Sequence, residues 1–85
     1  MENATAILIP SYQPDGKLPP YVKALHEAGF GMIVIVDDGS GNEYSPIFDG
    51  LSAYESGVHV IRYTPNHGKG YALRAGMRYL LDECP

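Results

Sequence analysis

Basic residues are scarce in this 85-residue chain. Lys and Arg together number 6 against 10 acids, for a formal net charge of −4 and a pI near 5.1. A general nucleic-acid binder needs a basic face, and this balance excludes one while leaving room for a local cationic spot beside a phosphate. Cysteine is nearly absent too. Cys84 is alone, so no disulfide forms within the chain, and a reducing, cytoplasmic setting is expected. No apolar run approaches the roughly 18 residues of a membrane helix. The start, MENATAILIP, has neither a basic region nor a long apolar stretch, so it does not read as a secretory signal. Repeats, low-complexity tracts and internal linkers are also missing, and residues 1–85 read as one structural unit.

Several catalytic signatures are absent as well. Lys69 is followed by Gly70 and lacks the upstream glycine of G-x-x-x-x-G-K-[ST], so there is no Walker A loop, and there is no G-x-G-x-x-G. Ser40 stands in D-G-S-G rather than in a G-x-S-x-G elbow. No histidine pair has metal-ligand spacing. His26 is expected on an exposed helix face, His59 pointing outward from an outer strand, and His67 as a loop residue. The sequence therefore assigns no catalytic residue and no metal ligand.

What is present is an alternation of apolar strands and amphipathic helices. Hydrophobic residues make up 45% of the chain, enough for a modest core. TAILIP (5–10) reads as a buried strand closed by a proline. Residues 18–29 read as a helix, with Leu18, Val22 and Leu25 at helical spacing beside Tyr21, Ala24 and Ala28. Its two prolines suit a first turn, and Gly29 suits the stop. GMIVIVDD (31–38) has the composition of a strand buried on both faces. Tyr44, Ile47, Phe48 and Leu51 define one face of a second helix, with Pro46 in its first turn. GVHVIRY (57–63) alternates as a third strand. From Lys69 or Gly70, Ala72, Leu73, Met77, Leu80 and Leu81 line a last helix, with Arg74, Arg78 and Asp82 on its other face. Gly76, inside that helix, implies a close helix–sheet contact. The order β-α-β-α-β-α predicts an α/β unit with a parallel sheet.

Ligands of such sheets bind outside the carboxyl ends of the strands. Three loops meet there: residues 10–17, 37–42 and 63–69. In the second, Asp37 and Asp38 are adjacent, and strand alternation sends them to opposite sides. One can hold backbone amides while the other faces a crevice, or both can serve the turn around Gly39-Ser40-Gly41. In the third, NHGKG offers close backbone approach and a helix start to an anion, with the charge of Lys69 added; it also fits a plain helix start with a solvated lysine. In the first, Tyr12 can stack on a base or pack under the loop.

Taken together, ILIPSYQPDGKLPPYVKAL, IVIVDDGSG and NHGKGYALRAGMRYLL resemble the family 2 inverting glycosyltransferases of the GT-A fold, most of all the polyprenyl- and dolichyl-phosphate sugar transferase branch. The resemblance implies a Rossmann-like unit, strands ordered 3-2-1, forming the first, nucleotide-binding half of a GT-A domain. It implies a UDP- or GDP-linked sugar donor. Position by position, Pro10, Ser11 and Tyr12 match the loop near the base. Asp38 matches the residue that hydrogen-bonds the base, and Asp37 the one that holds the turn. Gly68, Lys69 and Gly70 match the N-x-G-K-G turn beside the nucleotide. SYQPDG stands where many members carry an acidic AYNE loop, and His67 stands where leucine or isoleucine is frequent. The family's D-x-D, which binds Mg²⁺ or Mn²⁺, and its catalytic base do not occur in this chain. The chain alone is therefore expected to be inactive. A complete, non-catalytic nucleotide-binding or regulatory module is the alternative. With strand 4 of that fold absent, strand 1 (TAILI) is expected to expose an apolar edge with no charge or internal proline, and to mediate self-association.

Overall fold

A computed structural model describes residues 5–83, so Cys84 lies outside the described residues. The order is β1 (Ala6–Ser11), α1 (Leu18–Glu27), β2 (Met32–Asp38), a 3-10 turn (Asn42–Tyr44) running into α2 (Ser45–Ser52), β3 (Val58–Tyr63) and α3 (Lys69–Glu83). The three strands are parallel, with β2 between β1 and β3. This is the expected α/β unit, Rossmann-like, with the expected neighbour order.

The central strand explains the layering. Ile33 to Val36 are fully buried, and their alternation feeds two separate cores. Ile33 and Ile35 pack with Val22 of α1, with Phe48 and Leu51 of α2, and with Val58. Val34 and Val36 pack on the other face with Ala72 of α3. Each of these Val, Ile, Leu and Phe side chains contributes about 1.5–3 kcal/mol by leaving water. Helices α1 and α2 thus cover one face and α3 the other.

The helix boundaries follow the local chemistry. Pro19 and Pro20 sit in the first turn of α1, and Gly29 ends it with φ +105°. Gly76 does meet the sheet closely. A Cβ there would overlap a methyl of Leu8 and press on Val36 Cγ2 at 3.1 Å.

The structure departs from the sequence expectations in places. Met77 and Leu81 are exposed, because α3 rests on β1 and β2 through Ala72, Ala75, Gly76, Tyr79 and Leu80. Tyr21 is likewise exposed, since Val22 alone of α1 is fully buried. His59 is half-buried, with Nδ1 2.9 Å from the Tyr79 hydroxyl. His26 is also half-buried. It lies 3.4 Å from Glu55 and edge-on to Tyr54. β1 does not close at its proline. It runs through Pro10, opposite Val36, to Ser11, opposite Asp37. An edge strand accommodates a residue without an N–H because one of its sides has no ladder. Among the described residues, the edge of β1 that has no pairing strand and no proline is therefore Ala6–Ile9.

Candidate functional site

The end of β2 places its two aspartates back to back. Asp37 continues the row of Ile33 and Ile35 toward α2, and Asp38 the row of Val34 and Val36 toward α3. Asp37 is 1% exposed and accepts the Ser40 N–H at 2.9 Å, which shapes the Gly39–Gly41 turn as expected. Its second oxygen accepts Arg62 Nε–H at 2.8 Å. The same guanidinium donates to Ser45 Oγ at 2.8 Å and to the Gly41 carbonyl at 3.0 Å, and lies over the Phe48 ring at 5.0 Å. Arg62 therefore joins the end of β3 to the start of α2. Ser40 Oγ accepts the Gln13 N–H at 2.7 Å, which ties the first loop to the second.

Asp38 is enclosed as well. Its Oδ1 accepts the Tyr63 hydroxyl at 2.7 Å and the His67 N–H at 2.9 Å. Its Oδ2 accepts Asn66 Nδ2 and the Gly68 N–H, each at 2.9 Å. Asn66 Nδ2 also donates to the Asp38 carbonyl at 2.8 Å. Burial works to raise the Asp38 pKa, but the His67 amide, the Tyr63 hydroxyl and the Gly68 amide outweigh it, and the carboxyl lies below its ordinary value of 3.8. The Tyr63 phenol is pushed up, by burial first and then by its hydrogen bond to Asp38 and the charge there. Gly39, with φ +79°, brings this loop against the next. A Cβ on it would run into the backbone of Pro65 and Asn66.

Between the first and third loops lies an open pocket of about 390 Å³, lined by Pro10, Ser11, Tyr12, Asp38, Asn66, Gly68 and Lys69. Six residues singled out from the sequence meet here: Pro10, Ser11, Tyr12, Asp38, Gly68 and Lys69. Gly70 is one residue further along α3 and does not line it. Asp37 lines a separate hollow of about 200 Å³ with Arg62. A larger hollow of about 630 Å³ lies between α1 and α2, lined by Pro19, Pro46 and Leu51 among others, with Lys23 as its charged residue. Its lining is almost wholly apolar, so the convergent polar groups of a site are in the smaller pocket.

The sequence reading missed Arg62, Tyr63 and Asn66. An arginine at the end of an otherwise apolar strand was the available signal for Arg62, since such a charge needs a partner. The geometry around Asp38 was not readable, because its donors come from two other elements. Among the described residues no group of three or more His, Cys, Asp or Glu is placed to hold a metal ion. Asp37 and Asp38 are committed to internal donors, so they do not fit as a ligand set. No helix among the described residues is long and apolar enough to cross a membrane.

The family model described as "Glycosyl transferase family 2" matches residues 6–84. An uncharacterised protein of Methanocaldococcus jannaschii, MJ1222, is 33% identical over 75 residues, covering 88% of this chain and 29% of its own. The chain thus spans less than a third of that relative's length. No solved structure matches it.

Proposed function

The chain belongs to glycosyl transferase family 2, and from that premise we propose that its strand-end pocket receives the nucleoside diphosphate of a UDP- or GDP-linked sugar donor. One observation carries this reading: Ser11 and Tyr12, from the start of the chain, face Gly68 and Lys69, from near its end, across a single pocket. Its volume of about 390 Å³ lies within the range of small-molecule sites, roughly 300–1,000 Å³. Lys69 begins α3, so its ammonium and the first-turn amides suit an anion together, and the half-exposed ring of Tyr12 suits a base.

In the complete protein the sugar passes to an acceptor such as a lipid phosphate or a glycan, as in the polyprenyl-phosphate branch. A divalent cation, Mg²⁺ or Mn²⁺, would neutralise the diphosphate there, held by residues other than those described. The described residues bind and orient the donor, and by themselves they do not turn it over.

The test is an NMR titration of the ¹⁵N-labelled chain with UDP and with GDP. Amide shifts are expected at Tyr12, Gly68, Lys69 and Gly70. Lys69→Ala should weaken binding by about ten-fold, the loss of one charge-assisted contact. Shifts confined to the α1–α2 hollow, or none at millimolar nucleotide, would reject the assignment.

A further inference from the structure

Resting on the nucleotide reading, we propose that Ser40 is a positioning residue whose hydroxyl holds the Tyr12 ring at the pocket. Ser40 is buried and does not line the pocket, so it acts through another residue. That residue is Gln13, which follows Tyr12 directly. Among the described residues Gln13 alone, glycines aside, has a positive φ, of +48°. A residue with a side chain rarely rests in that region, because its Cβ crowds the backbone. Gln13 also precedes Pro14, which favours an extended residue before it. Such a conformation persists only where its surroundings hold it. The Gln13 N–H donates to Ser40 Oγ at 2.7 Å, across 27 positions of sequence. Further along the loop the bonds are local ones, from the Lys17 and Leu18 amides back to Asp15.

The hydroxyl is itself fixed in place. Asp37 Oδ1 accepts the Ser40 N–H at 2.9 Å, and Arg62 holds the other oxygen of that carboxylate from β3. Gly39 and Gly41, with φ of +79° and +98°, permit the tight turn that presents Ser40 to the first loop. Support therefore runs from Arg62 through Asp37 and Ser40 to Gln13. It ends one residue from a ring that lines the pocket. Tyr12 is 51% exposed, so packing does little to fix it. The loop is anchored at both ends, by β1 and by α1. If Gln13 relaxes to negative φ, its neighbours must compensate, Tyr12 first among them. Nucleotide then binds well only to the molecules that keep the turn, and the apparent affinity falls by that fraction.

Wild type, Ser40→Ala, Gln13→Val and the double variant Ser40→Ala/Gln13→Gly are titrated by NMR with UDP, with GDP and with pyrophosphate. Losing the one hydrogen bond in Ser40→Ala should weaken both nucleotides by roughly three- to ten-fold. Pyrophosphate, which offers nothing to Tyr12, should bind as before. Glycine takes a positive φ without strain, so the double variant should return nucleotide affinity to within about two-fold of wild type. Gln13→Val is the deciding variant if Ser40→Ala fails to fold. It disfavours the turn from an exposed position and should reproduce the same selective loss. A role in stability alone predicts otherwise. Ser40→Ala would then melt lower yet bind nucleotide as wild type does, or lose pyrophosphate equally, and glycine at position 13 would restore nothing. Any of these results would overturn the proposal. If wild type binds neither nucleotide, the nucleotide reading falls and the positioning role falls with it. Hydrogen exchange of the Gln13 amide separates that failure from a failure of the bond itself. Slow exchange in wild type and fast exchange in Ser40→Ala support the bond; equal exchange in both rejects it.

Discussion

Replacing Asp37 by alanine should be the most costly single change among the polar residues of this fold. The side chain is 1% exposed, while its Arg62 partner keeps 29% exposure. Removing the carboxylate strands a guanidinium and leaves the Ser40 N–H without its acceptor. Breaking a fully buried pair from one side costs about 3–5 kcal/mol. Water reaching Arg62 offsets part of that, while the lost amide bond adds about 1 kcal/mol. The expected loss is therefore about 2–4 kcal/mol. A domain of this length has roughly 4–13 kcal/mol in all, so the variant keeps a net stability over most of that range, and its melting temperature falls by about 4–8 °C for each kcal/mol lost. Urea denaturation followed by circular dichroism at pH 7 measures it. A cycle with Arg62→Met should show about 1–3 kcal/mol of coupling. The exposed Arg78–Asp82 pair, 3.3 Å apart on α3, is the control, and Asp82→Ala should change stability by under about 0.5 kcal/mol. An Asp37→Ala variant as stable as the control, or a cycle without coupling, would refute the reasoning.

Gly76→Val should destabilise by about 1–3 kcal/mol in thermal melts, through overpacking against Leu8 and Val36, although glycine is ordinarily the poorer helix former. Gly39→Ala combines an unfavourable positive φ with a collision against the Asn66 backbone. It should cost about 2 kcal/mol or more and broaden the NMR signals of residues 65–68; a neutral result would mean the two loops are not in contact. The pH dependence has two limbs. The lowered Asp38 carboxyl stabilises the fold above its ordinary value of 3.8, and that contribution disappears as pH falls through its folded value. The raised Tyr63 phenol stabilises the fold below pH about 10 and loses this as pH climbs toward its folded value. Tyr63→Phe should flatten the alkaline limb of a stability–pH curve; an unchanged limb would contradict the bond to Asp38. Among the described residues no strand pairs with the outer side of Ala6–Ile9, and we propose that the chain dimerises through this apolar edge at high micromolar concentration. Light scattering should show Ala6→Lys restoring a monomer, and a monomeric wild type would count against it.

The sequence by itself determined the elements and which loops gather at one end of the sheet. MIVIVDD has no charge until its end, and such a run is satisfied only with helices on both faces. The prolines and Gly29 mark the bounds of α1 through φ and the missing N–H. Pro10 to Tyr12 and Gly68 to Lys69 were identifiable as neighbours lining one pocket because a parallel sheet brings the ends of successive strands to one side. Exposure along α3 was a different matter. Periodicity admits Met77 and Leu81 to the apolar face, but the width of two strands decides that only Ala72, Gly76 and their neighbours touch it. Only the tertiary structure decided what the paired aspartates do. Asp37 finds Arg62 because the register sets it opposite that residue. Asp38 finds Tyr63, Asn66, His67 and Gly68 because β3 and the loop after it close over the end of β2. A carboxylate's role depends on which donors reach it, and here, apart from the Ser40 amide on Asp37, those donors come from segments more than twenty residues away along the chain.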